Sequence, residues 1–226
     1  MTNVPVVEHD NYFFTRFPFD ERRDVVWKEV CRYLQRYVPA DTTVLDLGAG
    51  YCNFINNIAA AEKHAVDLFS ELPNFAGPDV ITHNRACTTL TEEFEDGTFD
   101  VAFASNLFEH LTREELLLTL QQLTRVLRPG GTLIALQPNF RLCYDTYFDD
   151  FTHIGIFTDR SLPDLFELMG FSVTDTQARF LPVNMKDTLR VPVPGLPFWV
   201  RLYLSLPYRP RAGQMLVVGR NRGMEG

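Results

Sequence analysis

Two groupings of acidic residues, glycines and histidines stand out in this chain, and each has its own chemistry. In Val44-Leu-Asp-Leu-Gly-Ala-Gly-Tyr-Cys-Asn53 an apolar run ends in a Gly-x-Gly turn, which lets backbone approach a nucleotide-like ligand closely. A dinucleotide fingerprint needs a further glycine where Asn53 stands. Asp46 puts a carboxylate just before the turn, where it attracts a cationic ligand and repels a pyrophosphate. This grouping favours an aminoacyl sulfonium over a dinucleotide. The second grouping is Asp149-Asp-Phe-Thr-His153, with Glu109-His110 upstream. An imidazole titrates near neutrality and suits proton transfer, so His153 leads the candidate bases, followed by Asp149, Asp150, Glu109 and His110. Asp149, Asp150 and His153 also form a set that would hold a divalent cation such as Mg2+ and lower the pKa of an acceptor hydroxyl. The bland alternatives are a solvated loop for the aspartates and simple packing for the histidines.

Strands and turns must hold these groups in place. From about residue 20 to residue 179 the apolar period alternates between helical and strand-like, the signature of βα units feeding a parallel sheet. The fold class is therefore α/β. Val26, Val30, Leu34 and Val38 share one face of a first helix ended by Pro39, and 43–47 reads as a buried strand followed by a helix over 54–61. Strands are expected at 65–68, 79–82 and 99–105. Thr112-Arg-Glu-Glu115 has the form of a capping box, and Leu116, Leu120, Leu123 and Leu127 continue one helical stripe. That helix stops at Arg128-Pro-Gly-Gly131, before a fifth strand over 132–136. Segment 137–158 exceeds ordinary connection lengths, which marks it as a lid or binding loop. A helix ending at Met169-Gly170, a strand from Phe171, a Pro-rich stretch and a strand over 214–219 complete the chain.

In order and spacing these elements resemble the class I S-adenosylmethionine-dependent methyltransferases over roughly residues 44–173. Val44-Leu-Asp-Leu-Gly-Ala-Gly50 resembles the family's first motif, Val66-Asp-Leu68 the acidic end of its second strand, 98–106 its fourth strand and 127–133 the approach to its fifth. The resemblance implies a Rossmann-like fold: a seven-stranded, mostly parallel sheet with helices on both faces. It implies S-adenosylmethionine as cofactor, with Asp46, Gly48 and Gly50 around the methionyl end, Asp67 on the ribose hydroxyls and Asn106 beneath the methionine part. Ala49, Leu68 and Ala86 join the cofactor-binding set. Two departures matter: Cys52 stands where the first motif commonly has glycine, and Asn84-Arg85-Ala86 lacks the aspartate that often binds the adenine amine. Adenine is then left to backbone and apolar contacts.

A finer resemblance, carried by 23–27, 50–56, 105–111, 137–139, 170–171 and 180–182, is to bacterial methyltransferases of polysaccharide and glycolipid assembly. It implies O-methylation of a hydroxyl on a saccharide or glycan precursor. The loop after the fifth strand offers Tyr144, Tyr147 and Phe148 as flat walls and Asn139, Asp145, Asp149 and Asp150 as hydrogen-bond partners. The alternatives are another small-molecule or lipid-linked acceptor, a non-catalytic S-adenosylmethionine-binding module, and a nicotinamide oxidoreductase.

Composition bounds these readings. The 226 residues, 46% hydrophobic, suffice for one core. The expected organisation is a single domain over 1–226: an N-terminal helical cap at 1–40, a cofactor-binding core at 41–179, and a Pro/Arg-rich insertion with the last strand at 180–226. A net charge of −8 argues against a nucleic-acid partner. From Arg190 onward, however, six arginines face the one glutamate Glu225, a net +5 against −13 for the rest. The apolar run 191–207 within this tail is broken by Pro192, Pro194, Pro197 and Arg201, so it does not read as a transmembrane span. Either Phe198, Trp199, Leu202 and Leu204 cover the sheet edge while the arginines pair with the acidic body, or the segment is a contact surface. A homodimer is expected, with weak membrane-surface contact as second choice. Four dispersed cysteines and an N-terminus without signal-peptide character point to reduced thiols and the cytoplasm.

Overall fold

In the computed structural model the described residues are 18–183 and 194–223. The first part of the expected N-terminal cap, the stretch with Arg190, Val191 and Pro192, and Glu225 lie outside them. Seven strands form one sheet: β1 (Thr43–Leu47), β2 (Glu62–Asp67), β3 (Val80–Asn84), β4 (Phe99–Ser105), β5 (Leu127–Pro138), β6 (Phe171–Gln177) and β7 (Gln214–Asn221). Their order is β3-β2-β1-β4-β5-β7-β6. β1 to β5 pair in parallel, and β7 runs antiparallel between β5 and β6. The helices are α1 (Arg22–Leu34), α2 (Leu72–Phe75), α3 (Arg113–Val126), α4 (Phe140–Cys143), α5 (Ser161–Leu168) and α6 (Leu196–Ser205).

The central strands bury both faces, so their apolar residues alternate between two cores. Val101 and Phe103 of β4, Ile134 and Leu136 of β5, and Leu216 and Val218 of β7 meet Val26, Val30 and Leu34 of α1 and Leu204 of α6. On the other face, Ala102, Ala104, Leu133, Ala135, Met215 and Val217 meet Leu116, Leu120 and Leu123 of α3 and Leu162 and Phe166 of α5. Helices thus cover both faces, as the sequence implied. The capping box at the start of α3 is formed: Glu115 N–H donates to Thr112 Oγ1, and Thr112 N–H donates back to the Glu115 carboxylate.

The expected helix over 54–61 is instead a run of turns, closed by Asn56 N–H to Cys52 O and Ile58 N–H to Phe54 O. Asparagine is the cause, because its side chain competes with the helical ladder. Asn56 reaches out to Phe75 O and Gly77 N–H, and Asn57 to Asp24. β2 and β5 also begin earlier than their apolar runs suggested, at Glu62 and Leu127.

The tail divides between the two readings made of it. Its arginines are drawn inward: Arg201 pairs with buried Glu29, Arg209 donates to Leu204 O and Gln177 Oε1, and Arg222 pairs with Glu167. Leu204 is buried, while Phe198, Trp199 and Leu202 remain 61%, 53% and 42% exposed and do not cover the sheet. All four cysteines are free thiols. No helix among the described residues is long and apolar enough to cross a membrane.

Candidate active site

Parallel strands all end on one side, and a crevice opens beyond their carboxyl ends where the strand order reverses. Here that point is β1, flanked by β2 on one side and β4 on the other. A cavity of about 440 Å³ lies there. Asp46, Gly48, Ala49, Gly50, Asp67, Leu68, Ala86 and Asn106, the residues that the sequence assigned to a cofactor, all line it. Trp27 of α1, Arg85, Ser105, Glu115, His110 and Thr152 line it too.

The turn after β1 explains its glycines. Gly48 sits at φ +70°, and a Cβ there would meet the Leu107 side chain at 3.1 Å. Its N–H donates to Val66 O at 2.9 Å, tying the turn to β2. The Asp67 carboxylate is fixed by two backbone donors, Gly50 N–H on Oδ2 at 2.8 Å and Phe69 N–H on Oδ1 at 2.9 Å. Each oxygen keeps acceptor capacity for a ligand hydroxyl. Asp46 is 3% exposed. Burial, and then the charge of Asp67, push its pKa well above the usual carboxylate range, opposed by a backbone hydrogen bond from Ile55. Two carboxylates in one crevice, one of them desolvated, suit a cationic ligand. Asn106, at φ +49°, donates from its N–H to Leu136 O and accepts on Oδ1 from Gln214 Nε2 at 2.9 Å. Arg85 pairs with Glu93, and the Asn84 amide donates to Asp67 O and Phe69 O. Leu68, Ala86 and Cys87 line this part of the cavity together with Arg85. These residues fit S-adenosylmethionine in charge, turn geometry and apolar lining.

At the other end of the cavity the loop after β5 folds back against the β4 end. Ile154 N–H and Gly155 N–H both donate to Glu109 O, at 2.8 and 2.9 Å. That clamp brings His153 beside His110, with ring centroids 5.0 Å apart. His153 Nδ1 lies 2.7 Å from Tyr147 O. His110 Nδ1 lies 3.0 Å from Thr152 Oγ1, which itself donates to Asp150 Oδ1 at 2.6 Å. Glu109 beneath them is fully buried, and neither of its carboxylate oxygens has a hydrogen-bond partner. Burial pushes its pKa up to about 8.

Of the candidate bases, His110 lines the cavity, and His153 and Glu109 stand directly behind it. The expected cation set of Asp149, Asp150 and His153 is not assembled. The three-donor group among the described residues is Glu109, His110 and His153, with ligand atoms within 4.8 Å of one another. Asp149 closes a short 3-10 turn, and Asp150 caps the next turn by accepting from Thr152 N–H and Oγ1. Neighbouring side chains on so tight a turn diverge. Sequence reasoning missed Thr152, whose one signal is its place beside His153, and Trp27, which brings α1 to the cavity wall.

The methyltransferase domain family model matches residues 45–135. The phosphoethanolamine N-methyltransferase of Plasmodium falciparum (isolate 3D7) is 32% identical over 101 residues, which make up 42% of this chain and 38% of that protein. The chain thus spans well under half that relative's length. Among solved structures, a chain from the complex between the Haloferax volcanii Trm112 methyltransferase activator and a methyltransferase superposes with a TM-score of 0.66 at 17% identity. That match covers 90% of this chain and 92% of the other. A SAM-dependent methyltransferase from Archaeoglobus fulgidus superposes with a TM-score of 0.60 at 18% identity, over 86% of this chain and 94% of its own. The fold is that of the solved S-adenosylmethionine-dependent methyltransferases, and residues 45–135 are similar to the methyltransferase domain family.

Proposed function

We propose that this chain is an S-adenosylmethionine-dependent methyltransferase acting on a small-molecule hydroxyl, a saccharide or glycan precursor first among the candidates, as a cytoplasmic homodimer. One observation carries the reading: the glycine turn, the carboxylates Asp46 and Asp67, and the imidazole of His110 line one cavity. S-adenosylmethionine supplies an electrophilic methyl on a sulfonium. The chain's own residues do the rest. The backbone from Gly48 to Gly50 borders the methionyl end, the Asp67 carboxylate takes the ribose hydroxyls, and Asp46 favours a cation over neutral or anionic ligands. An acceptor hydroxyl must lose its proton during or before attack, and the group of His110, His153 and Glu109 is placed to assist. Of the aromatics expected as flat walls Tyr147 is buried, while the loop that carries Thr152 exposes Tyr144 and Phe148, with Phe151 beside them, flat apolar surfaces of the kind sugar rings stack on. The net charge of −8 keeps nucleic acid out of the reading.

The match to a phosphoethanolamine N-methyltransferase favours a second reading, transfer to a small amine. An amine that arrives unprotonated needs less help from a base than an alcohol does. Incubation with methyl-labelled S-adenosylmethionine and a panel of saccharides, other alcohols and primary amines separates the two. Label in a methyl ether is expected, and label in N-methyl products alone defeats the hydroxyl reading. The cofactor half has its own test, calorimetry with S-adenosylhomocysteine. Asp67→Ala is expected to weaken binding by roughly 1.5–3 kcal/mol, the worth of a charge-assisted hydrogen bond. Unchanged affinity in a folded variant removes Asp67 from the ribose.

A further inference from the structure

Glu109 is a fully buried carboxylate with no hydrogen-bond partner on either oxygen. A bare buried carboxylate is costly and calls for a proton or a cation. Two imidazoles reach it: ligand atoms of Glu109, His110 and His153 lie within 4.8 Å of one another. The hydrogen bonds behind the rings fix their tautomers. His153 Nδ1 faces a carbonyl, Tyr147 O, and so must be the N–H donor. Thr152 Oγ1 gives its proton to Asp150, so it accepts from His110 Nδ1. Both rings therefore carry their lone pair on Nε2. An imidazole whose other N–H is held by a carbonyl or a carboxylate-backed oxygen is the recurring support of a metal-ligating histidine.

We propose that Glu109, His110 and His153 bind one divalent first-row transition cation beside the cavity, where it polarises the acceptor. Two imidazoles with one carboxylate suit Zn2+, Co2+ or Mn2+, whereas Mg2+ and Ca2+ prefer sets of oxygens. Three protein ligands leave at least one position for an exogenous oxygen, and His110 and Thr152 place it toward the cavity. Asp150 is then a positioning residue, acting on His110 through Thr152. The cation's role rests on the methyltransferase reading, though its binding does not. A cation there lowers the pKa of the acceptor hydroxyl. The proton leaves to water as the oxygen takes the methyl carbon, and the carbon–sulfur bond breaks with its electron pair left on a neutral thioether.

Co2+ titrated into the untagged full chain tests this through its visible ligand-field bands and equilibrium dialysis. One equivalent is expected to bind with bands of imidazole coordination. Glu109→Gln and His153→Ala should each weaken it tenfold or more, and Thr152→Val by roughly tenfold through His110, while Asp149→Asn leaves it unchanged. Glu109→Gln removes a buried charge at constant shape, so that variant is expected to fold; Co2+ should raise the melting temperature of the wild type and not of Glu109→Gln. His153→Ala should lower turnover by roughly 10²-fold with affinity for S-adenosylhomocysteine intact. Uptake of less than one equivalent, or equal uptake by wild type and Glu109→Gln, overturns the site. Homocysteine-nucleoside binding without Co2+ binding sinks the site and leaves the methyltransferase reading standing, and the converse result does the opposite.

Discussion

Asp46 is an ionisable group on the α1 face of β1, with Cys31 close enough for its charge to raise that buried thiol's pKa. Its own pKa is raised, first by desolvation and then by Asp67. A raised folded-state pKa means that the associated stability is fully present below the unfolded value of about 3.9 and is lost as pH rises through the folded one. At neutral pH the ligand-free chain carries that penalty, and a bound cation relieves it. Asp46→Asn keeps the shape and removes the charge. It is expected to stabilise the ligand-free protein at neutral pH by about 1–3 kcal/mol, the range for an imperfectly compensated buried polar group. The gain should shrink toward pH 4, and affinity for S-adenosylmethionine should fall. Thermal melts across that pH range, with calorimetry alongside, check both halves; a lower melting temperature at neutral pH defeats the argument. Residues of this kind were legible in the sequence because Asp46, Gly48 and Gly50 lie in one contiguous turn. Cys52 is instructive in the same turn. Cysteine stands where the resembling family commonly has glycine, yet the backbone keeps the left-handed conformation, φ +57°, at a cost on the order of 1–2 kcal/mol for an L-residue.

At the scale of elements, α1 and α6 illustrate what spacing alone leaves out. Val26, Val30 and Leu34 fix the buried face of α1 by helical period, and that face is where the structure has it. The partner of that helix is far away in sequence, and no local pattern shows that buried Glu29 would meet Arg201 of α6, 172 residues on, at 3.0 Å. The same limit hid the convergence of Glu109, His110 and His153, which meet because the Glu109 carbonyl clamps Ile154 and Gly155. The turns at 54–58 failed as a helix because two asparagines, Asn56 and Asn57, found partners outside the ladder. The Arg201 hydrogen bond, opposed by desolvation and aided by Arg32, holds the Glu29 pKa below the usual carboxylate range. A depressed folded-state pKa gives stability that is present above the unfolded value, about 4.3, and lost as pH falls through the folded one. Acid is therefore expected to loosen α6 before the sheet. Hydrogen exchange over Leu196–Ser205, corrected for intrinsic rates, should rise several-fold below pH 4, and Arg201→Met should reproduce the rise at neutral pH. Unaltered protection of this helix in Arg201→Met would show that its apolar face alone holds it.

For the molecule as a whole, the open question is what meets the outer face of α6. Its inner face is occupied: Leu204 is buried, and Leu196, Val200 and Tyr203 pack against the same core. Phe198, Trp199 and Leu202 point away from that core, with Leu206 and Tyr208 exposed just beyond. Phe198 and Trp199 meet edge to face at 5.3 Å, a small aromatic platform in water. An apolar patch of this kind is stabilised by about 25 cal/mol for each Å² that a partner covers. Two partners suit it, an anionic membrane surface and a second copy of the chain, and the arginines decide between them. Arg201, Arg209, Arg220 and Arg222 are turned to acceptors within the fold, so among the described tail arginines most of the positive charge that an anionic membrane would need is already engaged. A twofold contact asks for no such charge and is the commonest symmetric solution. The chain is therefore expected to dimerise through this face. A central aromatic anchor is typically worth about 2 kcal/mol or more, so Trp199→Ala should weaken the dimer by roughly 30-fold and leave S-adenosylhomocysteine affinity untouched. Sedimentation over a range of concentrations reads the mass directly. A wild type that stays monomeric throughout ends the dimer, and if it also binds anionic liposomes in a Trp199-dependent way, the face belongs to a membrane surface after all.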